Sequence, residues 1–252
     1  MKMLKAKSLP ASGYAKRTTQ NSVVNELGAQ ILRGDFAVGA NLPNEGDLTA
    51  RFGVSRTVIR EVMKTLAAKG LVIAKTKIGT RVSDPMNWNM FDRDVLNWRI
   101  QAGVDAALLN SLYELRIAIE PTAAALAAER RSEADVAELR ILLDRMAYSG
   151  HTAISFLRAD VDFHQAVGRI SRNPFMGSIG PIIEAALNDA SLKIPSPANS
   201  PQRQAIVVAR HRAIADAIEA RDPRAARAAM TIVVDEGLSD RVAAPAPIQV
   251  SA

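Results

Sequence analysis

The stretch PNEGDLTARFGVSRTVIREVMKTLAAKGLVIAKTKIGTRV, residues 43–82, carries the strongest structural signal in the chain. A short helix is predicted over 45–52, followed by Gly53, a residue type that tolerates the left-handed backbone of a tight turn. Ser55 is a favourable N-cap for a second helix, which the apolar spacing extends to about Lys69. Two short helices joined by such a turn form a helix-turn-helix.

Two stripes run along this second helix at four-residue steps. The apolar stripe consists of Val58, Val62 and Leu66, and the basic stripe consists of Arg56, Arg60 and Lys64. Side chains four residues apart lie on one side of a helix, so the apolar stripe faces a core and the basic stripe lies on another face. The basic face is therefore predicted to be free to contact DNA.

A β-hairpin is predicted after this helix. Gly70 ends the helix, residues 71–74 are apolar and β-branched enough for a strand, and Gly79 marks the hairpin tip. Lys77 and Arg81 flank that tip and make it cationic. The pattern predicts a winged helix-turn-helix.

The positive charge of the chain is concentrated at its N-terminal end. Residues 1–84 contain 14 Lys plus Arg and 6 Asp plus Glu, a balance of +8, whereas the remainder contains 18 and 20, a balance of −2. This basic N-terminal segment, the head, suits the phosphate contacts that supply most non-specific affinity for DNA. A near-neutral remainder suits internal packing and small molecules.

The composition also bounds the class of protein. With 252 residues, 48% of them hydrophobic, the chain is long enough for two globular domains. It contains no cysteine, so disulfides and thiolate metal sites are excluded, which fits a reducing compartment. No apolar run approaches the roughly 18 residues of a membrane span, and the start MKMLKAKSLP lacks the apolar region of a secretory signal. We expect a cytoplasmic protein with no membrane partner.

Five segments are predicted along the chain. Residues 1–18 are polar, basic and without periodicity, so they are expected to be a disordered tail. The other segments are a winged helix-turn-helix domain over 19–84, a connector over 85–104, a helical domain over 105–243 and a tail over 244–252. The connector contains both tryptophans of the chain, unlike a flexible tether, and we expect Phe91, Leu96 and Trp98 to pack the head against the helical domain.

Six helical stretches and no strand are predicted from Asp105 onward. They cover 105–130, 133–148, 152–171, 175–193, 202–220 and 224–242, with turn signals between them. The predicted fold class is therefore mainly α, with an N-terminal winged helix-turn-helix followed by an all-helical antiparallel bundle.

Polar side chains from three of these helices lie on apolar helix faces. Asp160 and His164, four residues apart, point together into the bundle, which is the spacing of two metal ligands on one helix. His211 and Arg116 are likewise centred among apolar neighbours. Because unpaired buried charge is costly, one explanation is a structural network in which Arg116 pairs with Glu120. The convergence of all four polar groups favours a ligand site instead.

Three short motifs occur in the head in a fixed order. They are P-x-E-x-x-L at Pro43, Glu45 and Leu48, V-S-R-x-x-[VI]-R-E at Val54, Ser55, Arg56, Ile59, Arg60 and Glu61, and G-T-x-V at Gly79, Thr80 and Val82. In this order they resemble the GntR superfamily of bacterial transcription regulators. The chain has Gly46 where several family members have an Arg that contacts the operator.

The resemblance implies that Arg56 and Arg60 face the major groove, where Arg binds guanine O6 and N7. The candidate DNA-contacting residues are Arg51, Ser55, Arg56, Thr57, Arg60, Lys64, Lys75, Lys77 and Gly79. The lysines suit phosphate, whose contacts position a protein without specifying sequence. The alternative is that these are ordinary solvated charges.

The order and lengths of the later helices resemble the FCD-type ligand-binding domain of the FadR subfamily. In that domain an Asp and a His in D-x-x-x-H spacing join two later His around a divalent metal, and an Arg of the first helix meets an anionic effector. The resemblance implies these roles for Asp160, His164, His211 and Arg116. Because the last position is Val233, a metal such as zinc needs water or effector oxygens to complete its shell.

These features favour a homodimeric repressor of a sugar-acid (aldonate-type) catabolic operon, whose binding to double-stranded operator DNA changes when a small hydroxylated carboxylate enters the helical domain. The connector motif W-N-x-x-D-x-D-V-L-x-W is similar to that of sugar-acid regulators, and two-fold operators match two-fold proteins. One rival is a metal-dependent hydrolytic enzyme, since one Asp and two His around a metal could activate water. A second is an architectural DNA-binding protein, which would need no inward polar cluster.

Overall fold

The computed structural model describes residues 12–75, 79–148, 152–192 and 200–242, and the chain divides into two units, Met1–Gly103 and Val104–Ala252. The first unit contains α1 (Ser12–Arg33), α2 (Glu45–Phe52), α3 (Arg56–Ala68), β1 (Val72–Lys75), β2 (Gly79–Val82) and α4 (Arg93–Gln101). The second contains α5 (Ala106–Arg130), α6 (Glu133–Ala147), α7 (Ala153–Ile170), α8 (Pro174–Gly177), α9 (Gly180–Leu192), α10 (Pro201–Glu219) and α11 (Pro223–Val242). The predicted mainly α class is confirmed, and the predicted tail over 244–252 lies outside the described residues.

Local side-chain chemistry fixes both helices of the helix-turn-helix. Asn44 caps α2, because its Oδ1 accepts hydrogen bonds from the backbone N–H of Gly46 at 2.8 Å and of Asp47 at 3.0 Å. Gly53 ends α2 with a φ of 64°, the left-handed conformation that the turn requires. The hydroxyl of Ser55 then caps α3.

The wing is an antiparallel pair of strands, in which Val72 pairs with Val82 and Lys75 pairs with Gly79. Lys77, which the sequence predicts beside the hairpin tip, lies outside the described residues. Apolar side chains from α1, α2, α3 and the wing form a single core in this unit. The core holds α3 with its polar face outward.

Helix α1 begins at Ser12, inside the segment 1–18 that the sequence predicts to be a disordered tail. The prediction of a disordered tail is therefore wrong for residues 12–18, whereas residues 1–11 lie outside the described part of the chain. Extending a formed helix needs less free energy than nucleating one. Polar residues that precede the packed apolar stripe can therefore continue the helix, although they have no apolar periodicity of their own.

Most of the predicted connector belongs to the first unit. Helix α4 packs on α1, and its Trp98 is buried in the head core, where the ring occupies the space that a side chain at Gly28 would need. Leu96 is also buried, but Phe91 is 64% exposed. Phe91 lies in the turn before Asp92, the N-cap of α4, and this leaves it outside the core. The prediction that Phe91 packs is therefore wrong.

The second unit is helical throughout its described residues, as predicted. Helix α5 packs against α7 and α11, α10 against α6 and α11, and α7 against α6 and α9. The predicted helix over 175–193 is instead split into α8 and α9. Pro181 in the first turn of α9 has no N–H to donate to the carbonyl of Gly177, so a continuous helix would lack this hydrogen bond. A Cβ at Gly168 of α7 would lie 3.1 Å from the carbonyl oxygen of Met176, so α8 packs closely on α7. Among the helices in the described ranges, none is both long and apolar enough to cross a membrane.

Candidate functional site

Helix α7 brings Asp160 and His164 into the interior of the second unit. They lie one helical turn apart, and both are buried. Asp162, between them in sequence, lies on the outer side, where its carboxylate accepts a hydrogen bond from Arg145 at 3.0 Å. The three side chains point as the helical spacing predicts.

His211 of α10 completes a cluster with this pair. Its Nε2 lies 2.8 Å from Oδ1 of Asp160 and 3.2 Å from Nε2 of His164, and the latter atom lies 3.5 Å from the same Oδ1. The three ligand-type atoms all lie within 4.8 Å of one another. The fold thus brings together residues from two helices that are separated by 47 positions in the sequence.

Helix α5 adds a buried ion pair beside the cluster. Arg116 is 1% exposed, and its Nε donates to Oε1 of Glu120 at 2.5 Å. The other carboxylate oxygen of Glu120 contacts Nδ1 of His164. Glu120 therefore connects Arg116 to the cluster. The sequence suggested Glu120 only as a partner for Arg116, because its contact with His164 depends on how α5 packs against α7.

Contacts with oxygen atoms on the far side of each imidazole orient its other nitrogen. Nδ1 of His211 lies 2.8 Å from the carbonyl oxygen of Val207, and Nδ1 of His164 contacts the carboxylate of Glu120. Both oxygens are acceptors, so each Nδ1 is assigned as a donor. In a neutral imidazole Nε2 then holds the lone pair, and both Nε2 atoms face Asp160. The donor set and its outer hydrogen bonds therefore fit a divalent metal.

The charge balance of this interior also favours a cation. With neutral histidines the two carboxylates of Glu120 and Asp160 outnumber the single guanidinium of Arg116. Burial alone would lower the pKa of His164, but the carboxylates of Glu120 and Asp160 raise it to about 9. Burial alone would raise the pKa of Asp160, but His211 and His164 hold it well below its usual range. A proton or a metal cation among these groups balances the buried negative charge.

The fourth position expected from the family resemblance is Val233 on α11. It is partly exposed, and its neighbour Val234 is buried. A hydrocarbon side chain offers no metal ligand. The described residues therefore supply three protein ligands to this cluster.

The basic stripe of α3 is exposed, but two of its three side chains are ion-paired. Nε of Arg60 donates to both carboxylate oxygens of Glu45, at 3.0 and 3.2 Å, and Nζ of Lys64 donates to Glu61 at 2.8 Å. Arg56 forms no hydrogen bond or ion pair with any residue that the structure describes. The stripe is exposed on the surface, as the helical pattern predicts. The pattern does not predict that Arg60 and Lys64 already have acidic partners there.

The other candidate DNA-contacting residues surround α3. Thr57 is exposed on its first turn, and Arg51 of α2 donates to Glu26 of α1 at 3.1 Å. Lys75 and Gly79 form the end of the wing ladder, next to its tip. All of these residues lie in the first unit, together with α3.

Two protein families match the chain. The family described as bacterial regulatory proteins, gntR family, matches residues 19–82, and the FCD domain matches residues 111–236. The chain belongs to the GntR family. It is a transcription regulator of the FadR subfamily rather than an enzyme, and GntR-family regulators bind operator DNA. The hydrolytic alternative is therefore set aside.

The regulator is similar to curated transcription regulators over most of its length. It is 34% identical to the galactonate operon transcriptional repressor of Escherichia coli K12 over 215 residues, which are 84% of this chain and 92% of the relative. It is 29% identical to the HTH-type transcriptional repressor NanR of Citrobacter rodentium over 229 residues, 89% of this chain and 85% of the relative. A solved structure of Lar, described as controlling expression of the Listeria monocytogenes agr system, has a TM-score of 0.59 at 20% identity and covers 95% of this chain and 99% of its own. This last likeness supports the fold alone.

Proposed function

We propose that this regulator represses a sugar-acid (aldonate-type) catabolic operon and that a small hydroxylated carboxylate, bound in the second unit, changes its affinity for the operator. The observation that carries the proposal is the buried cluster of Arg116, Glu120, Asp160, His164 and His211. A core that served packing alone would not need five interacting polar side chains, since each must be desolvated. The similarity to a galactonate operon repressor supports the same class of effector.

The chemistry of the cluster suits an anion that also carries hydroxyl groups. The guanidinium of Arg116 is a planar fork that matches a carboxylate, and within the described residues only its Nε is used, by Glu120. Asp160 can accept hydrogen bonds from hydroxyl groups, and so can an Nε2 atom of either histidine when it carries no proton. An aldonate or a related hydroxy acid meets both requirements.

A divalent metal such as zinc fits the same cluster. Asp160, His164 and His211 would hold it, and Glu120 and the Val207 carbonyl would fix the orientation of the two imidazoles. When bound, a dication would supply positive charge and coordination positions for effector oxygens. This would turn the net charge of the cluster positive and strengthen its preference for an anion.

The DNA-binding part of the proposal rests on α3. We infer that Arg56 and Arg60 contact bases in the major groove and that Lys64, Lys75 and Lys77 contact phosphate. A single head offers one short recognition helix, so we infer a homodimer on a two-fold operator, which light scattering would test. Operator DNA implies a cytoplasmic location.

The effector site is tested by a thermal-shift screen of aldonates, uronates and other hydroxy acids, with and without a chelator, followed by calorimetry of each compound that stabilises the protein. Arg116→Ala and His211→Ala should each weaken binding of a genuine effector. Arg145→Ala is a matched control, because this arginine lies on the surface of α6 and pairs only with Asp162 among the described residues. Unchanged affinity in both folded interior variants would place the effector site elsewhere.

A further inference from the structure

The ion pair between Arg60 and Glu45 joins the two helices of the helix-turn-helix. Glu45 is the first residue of α2, and Arg60 lies in the second turn of α3. Nε of Arg60 donates to both oxygens of Glu45, at 3.0 and 3.2 Å, while the side chains remain 65% and 43% exposed. The pair therefore lies on the solvent-facing surface of α3, which is the surface proposed to meet DNA.

The ion pair between Glu45 and Arg60 contributes little to the stability of the fold. Exposed ion pairs contribute on the order of 0–1 kcal/mol, because water and salt screen them. A carboxylate on this surface also opposes binding to a polyanion, since it cancels one of the positive charges that release counterions from DNA. A role in sequence specificity explains the position of the Glu45 carboxylate better than a role in fold stability does.

The geometry of the pair limits what Arg60 can do. Because Nε is occupied by Glu45, the guanidinium presents its two terminal nitrogens, and this edge can donate to both O6 and N7 of a guanine. Arg has a long side chain with many rotamers, and fixing them before binding reduces the entropy lost on binding. Partial neutralisation by Glu45 also weakens the attraction of Arg60 to any phosphate.

We propose that Glu45 is a positioning residue that sets the sequence specificity of Arg60. It holds the guanidinium toward one base edge and keeps it from non-specific phosphate contacts. Arg56 differs from Arg60 in this respect, because it has no acidic partner among the described residues. The proposal rests on the proposed function in one respect, namely that Arg60 contacts a base.

The chain offers a matched control in Asp47. It is an exposed acid in the same first turn of α2, so it has a similar interaction with the helix dipole, but its carboxylate pairs with no described residue. Glu45→Gln and Asp47→Asn therefore remove the same charge from the same helix end. Only the first substitution removes the charged partner of Arg60.

The experiment uses two DNA duplexes, one selected by the wild-type protein from a randomised pool and one with the same bases in shuffled order. Both are titrated with wild type, Glu45→Gln, Asp47→Asn, Arg60→Ala and the Glu45→Gln, Arg60→Ala double variant, at two salt concentrations. We expect Glu45→Gln to bind the selected duplex roughly three- to tenfold more weakly, the range for ordering one long side chain. On the shuffled duplex its affinity should not fall, and the salt slope should steepen by up to about one phosphate contact.

Asp47→Asn should leave unchanged the ratio of the affinity for the selected duplex to that for the shuffled duplex. The double variant should have the same ratio as Arg60→Ala, because Glu45 then has no arginine to position. Equal ratios for Glu45→Gln and Asp47→Asn, with a reduced ratio for Arg60→Ala, would overturn the role of Glu45 and leave base contact by Arg60 intact. An unchanged ratio for Arg60→Ala would overturn both. Pools selected separately by wild type and by Glu45→Gln give a second measurement, in which the variant should lose preference at one guanine.

Discussion

Glu120 connects the buried arginine of the second unit to its histidine cluster. Its carboxylate binds Arg116 and contacts His164, so one acid balances partners from two helices. Burial alone would raise the pKa of Glu120, but Arg116 and then His164 lower it to about 2. The carboxylate is therefore ionised at neutral pH, and Arg116 is buried beside its counter-charge.

Glu120→Gln should reduce the free energy of unfolding at pH 7 by about 3–5 kcal/mol, because it leaves a buried guanidinium without a counter-charge. The folded pKa lies below the ordinary 4.5, so this contribution is present above pH 4.5 and is lost as the pH falls toward 2. Denaturant titrations between these pH values would measure it. Glu138→Gln is the control, because Glu138 pairs with Arg169 on the surface, where a loss of at most about 1 kcal/mol is expected. Equal losses in the two variants would contradict this account.

The helical pattern predicts side-chain orientation but not contacts between helices. The inward direction of Asp160 and His164 follows from the periodicity of one helix. The contact of Glu120 with His164 depends on the packing of α5 against α7, and that of Glu45 with Arg60 depends on the angle between α2 and α3. No local pattern encodes either geometry.

The junction between helices α3 and α4 explains the acidic residues of the connector motif. Lys69, just after α3, donates from Nζ to both oxygens of Asp92, at 2.7 and 2.8 Å, and to Asp94 at 2.8 Å. Its ammonium group also lies 5.6 Å from the centre of the Trp98 ring. Asp92 in turn caps α4. The two acids and the second tryptophan of the motif thus attach α4 to the end of the recognition helix.

Lys69→Met should lower the free energy of unfolding by about 1.5–3 kcal/mol at pH 7, the range for hydrogen bonds to charged groups. Burial opposes both charges, but their mutual hydrogen bonds raise the pKa of Lys69 above 10.5 and lower that of Asp92 below 3.8. The difference from wild type should therefore disappear as the pH falls through the lowered pKa of Asp92, and again as it rises through the raised pKa of Lys69. Lys64→Met, which removes an exposed pair, should change stability by less than about 0.5 kcal/mol. Indistinguishable effects of the two substitutions would refute the role of this junction.

Gly70 allows the connector to pass directly behind α3. A Cβ at this position would lie 2.0 Å from the carbonyl oxygen of Asn87, and φ is 77°. Gly34 has a similar φ of 84° with nothing within 4 Å, so Gly34→Ala measures backbone strain alone, about 1–2 kcal/mol. Gly70→Ala should lose a further 1–3 kcal/mol or so from the clash. Thermal or denaturant unfolding of both variants would compare them, and equal losses would show that the close approach is easily relieved.

Element boundaries show where local patterns are insufficient. The caps at Asn44 and Ser55 are short-range features, and α2 and α3 accordingly begin where the sequence predicts. The early start of α1, the exposure of Phe91 and the break between α8 and α9 depend on what packs nearby. Residue type alone likewise does not reveal the close approaches of Gly168 to Met176 and of Gly28 to Trp98.

The proposed regulation requires two separate sites, one for DNA in the first unit and one for an effector in the second. An effector changes operator affinity only if it binds the DNA-competent and DNA-incompetent states with different affinities, and the coupling is reciprocal. Couplings of this kind typically alter affinity by roughly 5- to 150-fold. The buried cluster is the proposed source of that difference, because its charges must be rebalanced when an anion enters.

The decisive measurement is the operator affinity of wild type, Asp160→Asn and Asp162→Asn, each with and without a saturating hydroxy acid identified by the thermal-shift screen. Both variants remove one carboxylate from α7, but Asp160 belongs to the interior cluster and Asp162 pairs on the surface with Arg145. We expect a shift of roughly 5- to 150-fold in wild type and in Asp162→Asn, and no shift in a folded Asp160→Asn at the same effector concentration. An undiminished response in Asp160→Asn would contradict the assignment of the buried cluster as the effector site.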